Sequence, residues 1–255
     1  MKTILKGAEP EKLASYRHDN PQGSWANCKK NKKRHVEIRH RLLADQGGLC
    51  AYCEIDLLAK TELEEADFRV EHFHPKSDKN TGKNWGLDWG NLLACCHGGS
   101  QRNVVDAENR FSSPDNSCDV PKRDKGLTGL ILNPLQLPAF PNIFQYSRST
   151  GKMTPHSVHC QAENINFTLA QKTIDKLRLN ANRLNRLRKP VLDKQNDELR
   201  KMIAQGDSIE SARERLAKAY LVKNSDDNWP KFFSALRSYL GTAAENQLEA
   251  VAYKG

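Results

Sequence analysis

The sequence predicts an α+β protein in which a small cysteine-rich centre is flanked by helical ends. Three observations carry that expectation. Residues 49 to about 125 are dense in Cys, His, Trp, Asn and Gly and hold few long periodic segments. Within them Phe68-Arg69-Val70-Glu71-His72 is a short β-like run that Pro75 closes. On both sides of this centre, apolar residues recur at helical spacing. The chain divides accordingly into a basic helical segment, 1–46, a core, 47–128, and a mainly helical region, 129–255.

After a short lead, His35, Ile38, Leu42 and Leu43 fall at helical spacing, and Gly47-Gly48 stops that helix. Residues 80–90 read as loop, with Gly82, Gly86 and Gly90, and with Trp85 and Trp89 as packing anchors. Pro134, Pro138 and Pro141 punctuate a connector of irregular or short-strand structure over 130–151. Ile174, Leu177, Ala181, Leu184, Leu187 and Val191 form an apolar stripe, read as one long helix bent at Pro190. Asp207-Ser208 with Glu210 opens the next helix, which carries Ile209, Ala212, Leu216 and Tyr220. Pro230 starts a last one, with Phe233, Leu236 and Leu240 inward and Gly241 at its end. These stripes are core packing.

The 255 residues include 40 Lys and Arg against 31 Asp and Glu, a net charge of +9. That surplus fits nucleic acid, an acidic protein partner, or no partner. Its distribution says more. Lys29, Lys30, Lys32, Lys33, Arg34, Arg39 and Arg41 are opposed only by Glu37, and a second basic stretch runs from Lys172 to Lys201. Each alone reads as a solvated helix face, whereas two flanking one candidate site point to phosphate contact. No apolar run approaches the ~20 residues that span a bilayer. Lys2, Lys6 and Glu9 interrupt Met1–Pro10, unlike a secretory signal. The expectation is a soluble, cytoplasmic protein with no membrane partner.

Seven cysteines are an odd number for a disulfide framework, and their spacing points to metal. Cys50-Ala51-Tyr52-Cys53 follows Gly47-Gly48, where a tight turn can set both sulfurs on one side of a knuckle. Structural zinc takes four tetrahedral ligands, so a second pair is required. Cys95, Cys96 and Cys118 are the nearest candidates, and Cys28 and Cys160 are more remote. A thioredoxin-like redox site would need a βαβ context that the surrounding sequence lacks.

Three further pieces stand near the knuckle. Glu71-His72 joins an acid to an imidazole, which is what metal-dependent phosphodiester cleavage uses: the acid holds a cation and the imidazole takes a proton from water. A salt-linked surface pair is the plain alternative. Asn91, before the apolar Leu92-Leu93-Ala94, can lock its loop and orient the histidine through its amide. Cys118-Asp119, with Lys122 beyond, can link a zinc knuckle to a catalytic ion.

Together these residues resemble the HNH, or ββα-metal, nuclease motif with an embedded zinc knuckle, over about residues 47–125. Gln46 to Glu54, Glu71-His72-Phe73-His74-Pro75-Lys76 and Asn91-Leu92-Leu93 are similar to the HNH nuclease subunit of Septu anti-phage systems, including the retron-associated versions. Leu132-Asn133-Pro134 and the Leu-rich 177–187 segment resemble that family's C-terminal part more loosely. The resemblance implies a small ββα-metal core between an N-terminal helix and a mainly helical C-terminal region. It makes His72 the general base, Glu71 a ligand of Mg (or Mn), and Asn91 the residue that fixes the loop. The third motif position, usually His or Asn, falls on Asp119, a departure that still offers a hard oxygen ligand. It assigns structural zinc to Cys50, Cys53, Cys96 and Cys118. Cys95 stays open as an alternative to Cys96, which Cys96-His97-Gly98-Gly99 favours as a family-like turn. An insertion over 98–117 is implied. His74 is then a support for the strand end and His97 a donor behind the zinc ligands. Lys32, Lys33, Arg34, Lys76 and Lys122 are candidate phosphate contacts. The family further implies an endonuclease on DNA or a structured RNA such as tRNA, gated by an ABC/SMC-like ATPase, with a retron RNA–DNA complex as a further partner. The competing expectation is a non-catalytic, zinc-stapled nucleic-acid-binding or adaptor subunit.

Overall fold

Helix signals in the N-terminal lead build two short helices ahead of the expected one. The computed structural model describes residues 1–57, 67–100 and 115–255. α1 (Glu11–Asp19) follows Pro10, whose fixed φ suits a helix start, and carries Glu11 in its first turn. Ser24 caps α2 (Trp25–Cys28) by accepting from the Asn27 N–H at 3.2 Å. Asn31 caps α3 (Lys32–Gln46) through the Arg34 N–H at 3.0 Å. α3 stops where expected, at Gly47 with φ 60°. A Cβ there would come within 2.5 Å of the Trp229 ring, and one on Gly48 within 2.6 Å of Asn228 Oδ1. Left-handed backbone and close approach together therefore require both glycines.

The centre is a two-stranded antiparallel ribbon. β1 (Arg69–His72) pairs with β2 (Leu92–Cys95) in the register Arg69↔Cys95 to His72↔Leu92. One 3-10 turn over Trp89–Asn91 leads into β2, which is buried throughout. Gln46, the last residue of α3, is buried and clamps this ribbon to the knuckle. Its Nε2 donates to the Leu49 and Ala94 carbonyls at 2.7 and 2.9 Å, and its Oε1 accepts from the Ala94 N–H at 2.7 Å. α4 (Asp119–Lys122) follows, a single turn. The proline-punctuated connector contains an antiparallel hairpin of β3 (Phe144–Tyr146) and β4 (Met153–Pro155).

Beyond α5 (Ser157–Ala162) the helices differ from expectation at several places. The stripe from Ile174 to Val191 lies on two helices, α6 (Phe167–Lys176) and α7 (Asn182–Ala204). Arg178 adopts φ 48°, and the Leu179 N–H returns to the Ile174 carbonyl at 2.9 Å. Asn180 then grips both backbone groups of Met153 at 2.8 Å. The chain is thus turned by a left-handed residue and pinned to β4, neither of which apolar spacing records. Leu187 is 45% exposed in place of the expected inward position, while Arg188 is buried and donates to the Leu179 carbonyl at 2.7 Å. Pro190 lies inside α7. α8 (Ile209–Tyr220) has its expected Ser208 cap. α9 (Phe233–Leu240) begins three residues after Pro230, and Gly241 leads into a further helix, α10 (Thr242–Ala250).

Among the described residues, one apolar cluster includes Leu13, Ile38, Leu42, the β2 residues, Phe144, Ile174 and Leu184, with the knuckle cysteines inside it. A second joins Leu199, Leu216, Trp229, Phe233, Leu248 and Tyr253 to Leu49. The molecule is of mixed class, with helices around two two-stranded sheets. No described helix is long and apolar enough to cross a membrane.

Candidate metal centre and active site

Four sulfurs converge under the ribbon. The Gly47-Gly48 turn delivers Cys50 and Cys53, the end of β2 delivers Cys96, and the residue ahead of α4 delivers Cys118. All four are buried, and their sulfurs lie within 4.8 Å of one another. Cys53–Cys96 and Cys96–Cys118 are 3.6 Å apart and Cys50–Cys118 is 4.0 Å. Zinc–thiolate bonds of about 2.3 Å give a tetrahedral edge of about 3.8 Å, so the spacing fits one ion held by four sulfurs. Burial pushes the Cys118 thiol well above its usual range, while hydrogen bonding from Cys118 pulls Cys96 well below it. Cys95 Sγ lies 3.9 Å from Cys50 but stands outside the four-sulfur group.

Above the sulfurs, alternation along β1 separates its side chains. Arg69 and Glu71 share one face, and His72 takes the other. His72 is 5% exposed, packs edge-on to Trp25 at 5.3 Å, and holds Nε2 3.2 Å from the Gly86 carbonyl. A carbonyl can only accept, so Nε2 carries the hydrogen and Nδ1 keeps its lone pair. Burial lowers the imidazole pKa to about 4, against the opposing pull of the Gly86 carbonyl, so the ring is neutral at pH 7. Asn91 closes the same loop. Its Oδ1 accepts from the His74 N–H at 2.7 Å, and its Nδ2 donates to the His74 and Trp85 carbonyls at 2.9 and 2.8 Å.

On the other face Asp119 Oδ2 meets Arg69 Nη1 at 3.1 Å, and Glu71 Oε1 meets Lys122 Nζ at 2.8 Å. Burial raises the Asp119 pKa to about 7; Arg69 lowers it and the Glu71 charge raises it further. Burial likewise raises Glu71 against the pull of Lys122. Asp119 Oδ1 and Tyr52 Oη are buried and receive no hydrogen bond from any described residue. Glu71 Oε1 has its ion pair but no aligned donor. The unfilled Asp119 Oδ1 suits a hard divalent cation, which Glu71 would share only in exchange for its Lys122 ion pair.

No family model matches the chain. It is 36% identical over 262 residues to the "Retron Ec83 putative HNH endonuclease" of Escherichia coli, and the match spans 94% of this chain and 93% of that protein. The chain belongs to the retron-associated HNH endonuclease family.

Within this family member, not every expected site residue stands where the sequence placed it. Lys122 is not at the surface: it is 2% exposed, and Nζ also donates to the His72 carbonyl at 2.9 Å. Its charge faces Glu71 inside the protein, so it is withdrawn as a phosphate contact. Lys32, Lys33 and Lys76 are exposed, whereas Arg34 donates to the Lys12 and Cys28 carbonyls and stacks on Tyr16 at 4.0 Å. His74 sits between Asp78 and Thr128, with Nε2–Oδ2 at 2.7 Å and Nδ1–Oγ1 at 2.8 Å. His97 Nε2 meets Asp67 at 2.7 Å, and its Nδ1 accepts from Arg69 Nε at 3.2 Å. The implied insertion lies largely outside the described residues, which omit 101–114.

Three residues escaped sequence reasoning. Arg69 ties His97, Ser100 and Asp119 together, and its one available signal was its position two residues before Glu71 on the same strand face. Tyr52, inside the CxxC, is fully buried, and burial, then the Glu71 and Asp119 charges, push its hydroxyl pKa far up. Glu54 is buried at the foot of α9, where Oε2 accepts from the Ser234 N–H at 2.7 Å and Oε1 from Ser234 Oγ at 2.6 Å.

Proposed function

We propose that the chain is a metal-dependent endonuclease that hydrolyses phosphodiester bonds in DNA or in a structured RNA such as tRNA. The carrying observation is the β1–β2 register. It sets His72 beside the Asn91 turn and sets Glu71 on the face that Asp119 reaches through Arg69. In this reading His72 Nδ1 takes a proton from the attacking water, and the Gly86 carbonyl holds the ring in the tautomer that can do so. Asn91 fixes the loop that supplies that carbonyl. Glu71 and Asp119 would hold Mg or Mn on the opposite face of β1, and because His72 ends the strand, its twist would let both faces reach one phosphate, whose charge the ion when bound would stabilise. Cys50, Cys53, Cys96 and Cys118 would hold a structural zinc. Residues 47–128 form the nuclease core, with 1–46 and 129–255 as flanks for substrate and partner.

The similarity to Septu subunits extends the reading to the effector of an anti-phage system in the cytoplasm. An ABC/SMC-like ATPase and a retron RNA–DNA complex are its proposed partners.

The test is His72→Ala, assayed with Mg and Mn on DNA and on total RNA. Removal of a general base should cut cleavage by about 100-fold or more while leaving zinc content and fold unchanged. The burial of His72 and the cations paired with both acids favour one rival, a non-catalytic adaptor. Equal cleavage by the wild type and the variant sinks the base assignment, and no cleavage by either selects the adaptor. Elemental analysis should find about one zinc per chain, and Cys118→Ser should lose it.

A further inference from the structure

Against the Asn91 loop lies a cavity of about 630 Å³ that the nuclease reading does not use. Its volume falls in the range of small-molecule sites, about 300–1,000 Å³. Phe73, Ile131 and Leu137 are buried around it and give it an apolar interior. Its polar lining includes His74, held between Asp78 and Thr128, and several side-chain amides. Asn133 and Asn166 each commit Oδ1 to a cap, accepting from Leu135 N and Leu169 N at 3.0 Å. The caps fix each amide plane and leave each Nδ2 as a positioned donor. The Gln136 and Asn164 side-chain amides bond no described residue.

Charge narrows the ligand. Lys83 and Asp88 line the cavity together, and their 2.7 Å ion pair cancels. With no unbalanced cation among its described lining residues, the cavity suits a neutral guest better than a phosphate. Apolar walls with amide donors match a flat heteroaromatic whose edge carries carbonyl and ring-nitrogen acceptors. Phe167 and Leu130, each next in sequence to a lining residue, are 48% and 49% exposed. Exposed apolar side chains beside an opening are what an unstacked base packs against. The cavity also shares Asn91 with the candidate active site, and Trp85 in its lining directly precedes the Gly86 that His72 contacts.

We propose that this cavity receives one unpaired nucleobase of a single-stranded or locally opened nucleic acid, beside the phosphate presented to His72. Only the choice of nucleic acid as the guest's source rests on the nuclease reading. The site would favour unpaired over duplex substrates, because a base inside a helix presents neither its face nor its pairing edge.

The test is binding without added divalent metal, so that cleavage does not enter. Fluorescein-labelled single strands of DNA and of RNA, and the corresponding duplexes, are titrated with wild type, Phe167→Ala and Gln136→Ala, all exposed positions. Single strands should bind tighter than duplexes, and each substitution should weaken the single-strand complex about tenfold with duplex binding unchanged. A 2-aminopurine walked along the strand should change fluorescence at one position and lose that change in Phe167→Ala. The tighter of the DNA and RNA arms names the polymer. Equal losses on duplex and single strand, or no loss on either, overturn the proposal. Single-strand binding of this kind by a protein that cleaves nothing would remove the nuclease reading and leave the base site standing. Normal cleavage with unchanged binding in both variants would do the reverse.

Discussion

Lys122 sits at the junction of the two faces of β1, with one ammonium on Glu71 Oε1 and on the His72 carbonyl. Its burial leaves little solvent to screen the pair, so removal of the lysine would strand a buried carboxylate. Lys122→Met should destabilise the metal-free protein by about 3 kcal/mol. If Glu71 is a cation ligand, added Mn²⁺ should then raise the melting temperature of the variant more than that of the wild type. Thermal melts with and without Mn²⁺ measure this, and identical shifts in both proteins would remove Glu71 from the ligand set. The same residue shows where site reading from sequence stops. Cysteines, a Glu-His pair and an Asn are chemically distinctive types at short spacing, so they stand out. A lysine announces only its charge, and whether that charge faces solvent or a buried carboxylate depends on contacts 51 positions apart. Arg69 and Tyr52 were hidden for the same reason.

Elements here are joined by a few polar pins rather than by apolar stripes alone, and Glu54 is the clearest of them. Its carboxylate serves as the N-terminal cap of α9, with the positive helix end and Ser234 facing it and the Met1 ammonium at 3.0 Å. Burial opposes its ionisation, but the ammonium and the Ser234 donors outweigh that and hold the carboxyl below its usual range. A depressed folded pKa means stability that is present above the unfolded value of about 4.3 and lost as pH falls through the folded one. Glu54→Gln should therefore cost about 2 kcal/mol at neutral pH and progressively less toward pH 3. Urea titrations across that range follow the difference, and a gap that stays constant with pH would refute an ionised Glu54. Stripe reading located α3, α8 and α9 because their inward residues are apolar and their ends carry Gly47, Ser208 and Gly241. It joined α6 to α7 because Ile174, Leu177 and Leu184 are all buried, although a left-handed Arg178 stands between them.

At the scale of the whole molecule the +9 charge is the property most exposed to test, because not all of it is free to act. Lys122 and Arg34 are engaged inside the protein, and Lys12, Lys189 and Lys194 meet acids across the surface. Lys32, Lys33 and Lys76 are exposed and have no ion pair among the described residues. Binding through those lysines would release counterions from the nucleic acid, and affinity would fall as a power of salt concentration. Each lysine that touches a phosphate adds about one to the magnitude of the slope of log K against log salt. The triple variant Lys32→Ala/Lys33→Ala/Lys76→Ala should therefore flatten the slope by about three and weaken DNA and RNA alike, since the backbone is common to both. Lys122→Met should leave the slope at its wild-type value, because a buried ammonium releases no counterion. Fluorescence anisotropy at several salt concentrations separates the two. An unchanged slope in the triple variant would move the phosphate path away from α3 and the strand-end loop, toward the basic stretch of α7.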